Sequence, residues 1–426
     1  ELENKGTVVF SGSNFFSSNE PSSTSFKSSA GKIIWNSALA FPIPNGSYKD
    51  VTILSTTSLD GSFSLTGVWE NNGEFTSTTA GNTITFSGSA PQEFKGNGIN
   101  NFQRIVLDNS SGLTVSNGTL NITEYIESQS GKIDNTGGSI VLKSDADDNA
   151  GMLKVSNSND FDGDITVERT ISVSDGIVPG RWVNISCPVT TSISSWLGPS
   201  GNTDPSFYLC GDYPGATISA NDCGSGGNPF TSLYFYVENN AHSGNNSFKG
   251  WTSADSLTPS YDGTTNMTPG QGILIWANGS NIPGGTTKLS KTGPPELGAS
   301  NQVSINVKSS GNNPYNGWNL VSNPFPCSID YKKLIADNTF LNDTYYIIKD
   351  GSFVAGNPTL AGTGTIPHSQ SFIFQSSSAI DQTLTFDLSH LTTTDTNFIR
   401  SSNGINQHLM VNVCSDVNGF KYVARV

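Results

Sequence analysis

Short runs in which apolar and polar residues alternate recur along the whole chain. In the first part they are Thr7–Phe10, Val51–Leu54, Thr83–Phe86, Ile105–Leu107 and Ser139–Leu142. Leu233–Val237, Gly272–Trp276, Tyr345–Ile348, Ser371–Phe374 and Leu409–Val413 follow. Each is bounded by Gly, Asn, Asp, Ser or Pro, the signature of strands joined by turns. Helical spacing is nearly absent. Only SISSWL from Ser192 and DYKKLIADN from Asp330 invite a helix. The pattern predicts an all-β protein with minor helix.

Internal repeats divide the pattern in two. Tyr48, Val51, Ile53 and Leu59 correspond to Phe102, Ile105, Leu107 and Leu113 at a shift of 54. Ile84 and Phe86 correspond to Ile140 and Leu142 at a shift of 56. A drifting shift means insertions at turns while strands keep register, which stacked coils absorb easily. Residues 1–160 are therefore predicted to form a β-solenoid, with the repeat spanning two or three coils and Val51, Ile53, Ile105 and Leu107 pointing inward. The second repeat relates Trp182, Ser186, Pro188, Ser192 and Ile193 to Trp318, Ser322, Pro324, Ser328 and Ile329 at a shift of 136. Gln271, Ile273 and Ile275 match Gln370, Phe372 and Phe374 at a shift of 99. This predicts a pseudo-duplicated β-sandwich region over 161–400, with units of about 165–300 and 301–400. A constant shift preserves side-chain facing, so Trp182 and Trp318 are expected in equivalent buried sites. Residues 401–426 read as the start of a further β element, cut short.

Two segments carry a family resemblance. GWNLVSNPFPCSIDYKKL (Gly317–Leu334) resembles a segment of large Bacteroidota surface and secreted proteins, and ITVERTISVSDGIVPGRWVNISCPV (Ile165–Val189) resembles the segment that precedes it there. The resemblance covers residues 165 to about 375, and the upstream repeats by style. It implies β-helical repeats, export by a type IX secretion system and an extracellular or cell-surface location. Within it, Asp255–Leu257 (DSL) is similar to the O-glycosylation acceptor of that lineage, with Ser256 as the candidate acceptor.

Composition narrows the function. Charged residues are only 13% of the chain, yet 34% is hydrophobic and 10% aromatic. Those apolar residues sit in periodic runs, which disordered chains lack. The net charge of −14 argues against nucleic acid and against electrostatic docking on anionic lipid. No apolar run reaches the ~18 residues of a membrane span. The opening ELENKG has no basic region followed by an apolar one, so a signal peptide is read as already removed. Of five cysteines, Cys210 and Cys223 bracket a Gly/Asp/Asn-rich loop suited to a local disulfide, with two free thiols as the alternative.

Candidate chemistry is sparse. His242, His368, His390 and His408 are scattered outside metal-ligand spacings and read as surface or turn residues. Two acidic clusters are candidate Ca²⁺ ligands, because alternating carboxylates around a Gly turn offer several hard oxygens. One comprises Asp145, Asp147 and Asp148; the other comprises Asp160, Asp162 and Asp164. Solvated turns are the alternative. Trp251 and Tyr261, beside Asn/Gly-rich loops, are candidate sugar-stacking residues; Trp276 reads as core. The leading expectation is an extracellular structural or adhesive segment without catalysis and without a cofactor other than calcium. Its partners would be neighbouring domains of the same long chain, copies of itself, or surface glycans. The alternatives are a non-catalytic glycan-binding module and a carbohydrate-active β-helix enzyme. The enzyme would need Glu124, Glu127, Arg104 and Lys143 to share one cleft.

Overall fold

The computed structural model describes, with short gaps, residues 2–11, 26–172, 181–195, 211, 231–238, 250–254, 266–277, 286–309, 316–394, 410–414 and 421–425. All of the alternating runs fall in strands, apart from one or two terminal residues. The chain divides into two compact units. The first comprises Glu1–Ser144, Ala150–Glu168 and Thr292–Asn301; the second comprises Asp145–Asn149, Arg169–Lys291 and Gln302–Val426.

The first unit is a parallel β-solenoid of about six turns with three faces. Residues 46–48, 63–65, 84–86, 104–108, 125–127 and 152–154 stack along one face. Residues 51–53, 69–71, 93–95, 113–115, 133–134 and 161–162 form the second. The third holds 56–58, 74–76, 99–102, 119–122, 139–142 and 165–167. Coils range from 17 residues (Gly46 to Phe63) to 28 (Ile133 to Phe161). The inward residues of the early coils are aromatic. Trp69, fully buried, lies 4.9 Å from Phe75 and 5.4 Å from Phe102 between ring centroids, both edge-to-face. Later coils are filled by Ile105, Leu120, Ile122, Ile126, Ile140 and Leu142, all 0% exposed.

Corners would leave backbone groups buried and unpaired, and amide side chains satisfy them. Asn71 Nδ2 donates to Ile99 O at 2.7 Å and to Asn100 Oδ1 at 2.8 Å, while Asn71 Oδ1 accepts from Gly73 N at 2.9 Å. Gln92 Nε2 donates to Leu65 O, and Asn109 Nδ2 to Ala90 O, each at 2.7 Å.

Val51, Ile53, Ile105 and Leu107 are all buried, as expected, but the 54-residue shift is not a stacking repeat. Val51 stacks through Trp69 and Phe94 to Val115. Ile105 belongs to another face, between Ile84 and Ile126. The shift equals three coils less one face. All three faces alternate alike, so a slide by one face preserves the inward pattern as well as a whole coil does. The solenoid also runs past Asp160, with Ile165–Val167 closing its third face.

The second unit contains the duplication as separate antiparallel sheets. In the first copy, strand Arg181–Ile185 pairs with Ile273–Ala277, which pairs with Leu233–Tyr236, which pairs with Trp251–Ser253. In the second, Trp318–Ser322, Ser371–Ser376, Leu341–Lys349 and Ser352–Gly356 follow the same order. The register is identical: Trp182 faces Trp276 as Trp318 faces Gln375, and Ile185 faces Ile273 as Val321 faces Phe372. One part of the alignment slips. Thr191 pairs with Met267 as Ile329 pairs with Ile366, so the second copy has two extra residues after its shared proline, and Ser192 and Ile193 are not the partners of Ser328 and Ile329. The helix expected after Asp330 forms over Tyr331–Asp337, with the Asp330 side chain accepting from Lys332 N at 2.9 Å. Most of SISSWL lies outside the described residues. Strands Met410–Cys414 and Lys421–Arg425 pair as an antiparallel hairpin.

Trp182 and Trp318 do occupy equivalent positions, but both are half-buried rather than buried. Alternation puts them on the face opposite Val183 and Ile185, which are 0% exposed. Periodicity fixes the face; it does not say how fully that face is covered.

The copies meet reciprocally, as two subunits do about a twofold axis. Ile185 bridges to Gln370, and its counterpart Val321 bridges to Gln271. Ser186 N donates to Ser369 O at 3.0 Å, and Ser322 N donates to Gly270 O at 2.9 Å. Ser322 Oγ donates to Ser186 Oγ at 2.8 Å, so an equivalent pair meets on the axis itself.

Candidate functional site

The charged residues of the solenoid are held by neighbours in adjoining coils. Arg104 Nε donates to Glu124 Oε2 at 2.5 Å, and its guanidinium carbon lies 5.3 Å from the Tyr125 ring centroid. Glu124 Oε1 also accepts from Gly81 N at 3.3 Å. Glu127, two residues beyond Tyr125 on the same face, pairs with Lys154 at 2.7 Å. Lys143 is elsewhere, 2.6 Å from the nearly buried Glu168. Three of the four residues that an enzyme would use thus share a face, and each of their carboxylates is tied to a cation. Similar links join other coils: Ser116 Oγ donates to Glu93 Oε1 at 2.6 Å, and Asn121 Nδ2 to Asn101 Oδ1 at 3.0 Å. The Ser116 hydroxyl, then Lys95, holds the Glu93 carboxyl below its ordinary range.

The acidic turn at 160–164 does not converge on a cation site. Asp160 caps a short 3-10 turn, its Oδ2 accepting from Asn157 N at 3.0 Å. Asp162 pairs with Lys132 of the preceding coil. Asp164 is exposed, and its backbone carbonyl accepts from Asn135 Nδ2 at 2.5 Å. The side chains of Asp160 and Asp162 are thus taken up by different partners, one within the turn and one on the preceding coil. Asp145 is exposed, and Asp147 and Asp148 lie outside the described residues. Among the described residues no group of three His, Cys, Asp or Glu side chains is placed to share a metal ion.

Pairing places five aromatic rings on one face of the first copy's sheet. Trp182 lies 5.4 Å from both Tyr234 and Trp276, edge-to-face in each case. Tyr236 meets Trp251 at 5.3 Å. All five are half-buried, whereas the other face carries Leu233, Ile273 and Ile275 at 0% exposure. Burial, with Glu238 adding to it, pushes the Tyr236 hydroxyl up to about 12, so it remains a hydrogen-bond donor at neutral pH. The second copy keeps only part of the cluster. Trp318 and Tyr346 stand 5.7 Å apart, but Gln375, Ile348 and Phe353 occupy the places of Trp276, Tyr236 and Trp251. Trp251 was legible as a candidate. Trp276, expected in the core from its strand position, stands instead on this half-buried face, and the i, i+2 spacing of Tyr234 and Tyr236 within LYFY is the signal that places them beside it. Tyr261, Ser256, Cys210 and Cys223 lie outside the described residues.

The cysteine and histidine side chains among those described are buried, and His242 and His408 lie outside the described residues. Cys187 and Cys327 are buried thiols outside any disulfide, and burial pushes the Cys187 thiol up to about 12, far from a reactive thiolate. His368 and His390 both lie in turns, one of the two settings expected, but they are buried rather than on the surface, each 1% exposed. His390 Nδ1 accepts from Asp387 N at 3.1 Å, and its Nε2 lies 2.8 Å from Asp337 Oδ2. His368 Nδ1 lies 3.0 Å from Ser369 Oγ. No helix among the described residues is long and apolar enough to cross a membrane. No protein-family model, curated protein or solved structure matches the chain.

Proposed function

We propose that this chain is an extracellular, non-catalytic structural or adhesive segment of a large bacterial surface or secreted protein of the type IX-exported kind. The observation that carries the reading is the use made of the solenoid's charged residues. Arg104, Glu124, Glu127 and Lys143 fasten coil to coil, and a carboxylate held by a cation is poorly disposed to act as a general acid. The solenoid would then serve as a stiff spacer, and the duplicated unit as the part that meets a surface. The test is a turnover screen of the purified chain against polysaccharides and esters, run beside retention of chain-coated beads on cell-surface material. Bead retention without turnover supports the proposal. Turnover abolished by Glu124→Gln or Glu127→Gln would replace it with the enzyme reading.

A second reading, a glycan-binding module, is favoured by the five half-buried rings on the first copy's sheet, because aromatic faces stack on sugars. Glycan-array binding lost on Trp251→Ala supports it, and a blank array counts against it.

A further inference from the structure

The segment joining the two copies is not an idle linker. Thr292–Asn301 belongs by its contacts to the solenoid unit, more than a hundred residues earlier in sequence. Thr292 Oγ1 lies 2.7 Å from Thr166 Oγ1 on the last strand of the third face. At the other end, Asn301 Oδ1 accepts from Ser158 N at 2.8 Å, beside the turn between the last strands of the first and second faces. Between these anchors Leu297 is buried, and the Glu296 carboxylate accepts from Gly298 N at 2.7 Å. Ser300 and Asn301 both adopt positive φ, 54° and 71°, a region that Asn enters readily and Ser seldom does. The strain at Ser300, next to the Asn301 anchor, marks a segment whose placement the surrounding structure enforces.

The position matters because a solenoid's last coil presents strand edges, and here the last strand of the third face, Ile165–Ser172, pairs with the strand Thr286–Gly293 that runs into this segment. Such edges accept strands from another chain unless something covers them, and repeat arrays need a cap for this reason. We propose that Thr292–Asn301 is the end cap of the solenoid, and that loosening it exposes a last-coil edge that pairs with a second copy of this chain. The occupant is a second copy because a strand edge is matched best by a strand of the same repeat. The coils already pair in parallel with their own neighbours throughout.

The test uses the full chain carrying Thr292→Ala and Asn301→Ala together, read by two measurements. Amide exchange at Ile165–Val167 should rise about tenfold or more, while Ile105–Leu107 stays protected, showing an opened end on a folded solenoid. Light scattering should then show concentration-dependent oligomers that the unsubstituted chain does not form. A Thr166→Cys/Thr292→Cys chain should remain free of such oligomers when oxidised, even with Asn301→Ala added, and form them after reduction. Raised exchange in a chain that stays monomeric would overturn the proposal, as would unchanged exchange at Ile165–Val167.

Discussion

The two units repeat themselves by different operations. The solenoid repeats by translation, so each coil meets only the coil before and the coil after, about 20 residues away (Leu120 to Ile140, for example). The second unit repeats by rotation, so its paired contacts join residues 136 apart, as Ser186 and Ser322 do. A translational repeat tolerates insertions, because a longer turn displaces nothing but itself. A rotational repeat tolerates them only away from its axis, as the differing shifts of 136 and 99 show, because the backbone contacts at the axis are made twice and both must fit.

The sharpest way to break this comparison is Trp69→Ala. Trp69 packs against Phe63 and Phe75 of its own coil and Phe102 of the next, and its loss should cost roughly 3–5 kcal/mol, the range for aromatic core deletions. Chemical denaturation followed by solenoid fluorescence should show it. Amide exchange at Ile273–Ile275 should be unchanged, and a spread of the effect to that strand would mean the repeats are not energetically local. Asn71→Ala comes next, at ~1–3 kcal/mol, since it strands Gly73 N and Ile99 O at a corner. Urea midpoints measure it, and a neutral result would mean that water replaces the amide.

For the rotational repeat, a double-mutant cycle on Ser186→Ala and Ser322→Ala should give a coupling of about 0.5–1.5 kcal/mol. Independent effects would show that the axial bond carries no energy. The copies also differ at one turn. Ser369 holds φ 62° where its counterpart is Gly270 at 93°. Ser369→Gly should stabilise by up to ~1 kcal/mol, less whatever the His368 contact contributes. Gly270→Ser should destabilise, because a Cβ there would stand 2.4 Å from Ile305 Cδ1. Thermal melts of the two variants should move in opposite directions.

The smallest effect is one of pH. Glu93 is held below its ordinary range chiefly by the Ser116 hydroxyl, so its contribution is present above that range and is lost as pH falls through the lowered value. Ser116→Ala should move the acid-unfolding midpoint slightly upward. The shift should be small because the site is largely solvated.

Much of this architecture is legible in the sequence. Strand alternation locates nearly every element, and the 136- and 99-residue shifts meet in the same register at Trp182–Trp276 and Trp318–Gln375. The solenoid's true period is not legible, because Val51 and Ile105 look alike from their neighbours although they line different faces. Nor does spacing reveal that Asp162 reaches Lys132, since that pairing depends on a contact a coil away, whereas the Asp160 cap is made locally with Asn157. The half-burial of Trp182 and Trp318 has the same origin: cover comes from residues distant in sequence.

Joining the copies in one chain has a consequence for how their interface can change. In a pair of identical subunits, a substitution near the axis arrives on both sides at once. Here it arrives on one. Ser371 Oγ donates to Ile185 O at 2.6 Å, while its counterpart Gly272 has no room for a side chain, with Leu320 Cγ only 2.7 Å from where a Cβ would stand. Cys187 and Asn323 likewise share one position with different chemistry. A covalent tether thus frees two halves of a symmetric contact to carry complementary rather than identical residues, an option closed to any homodimer.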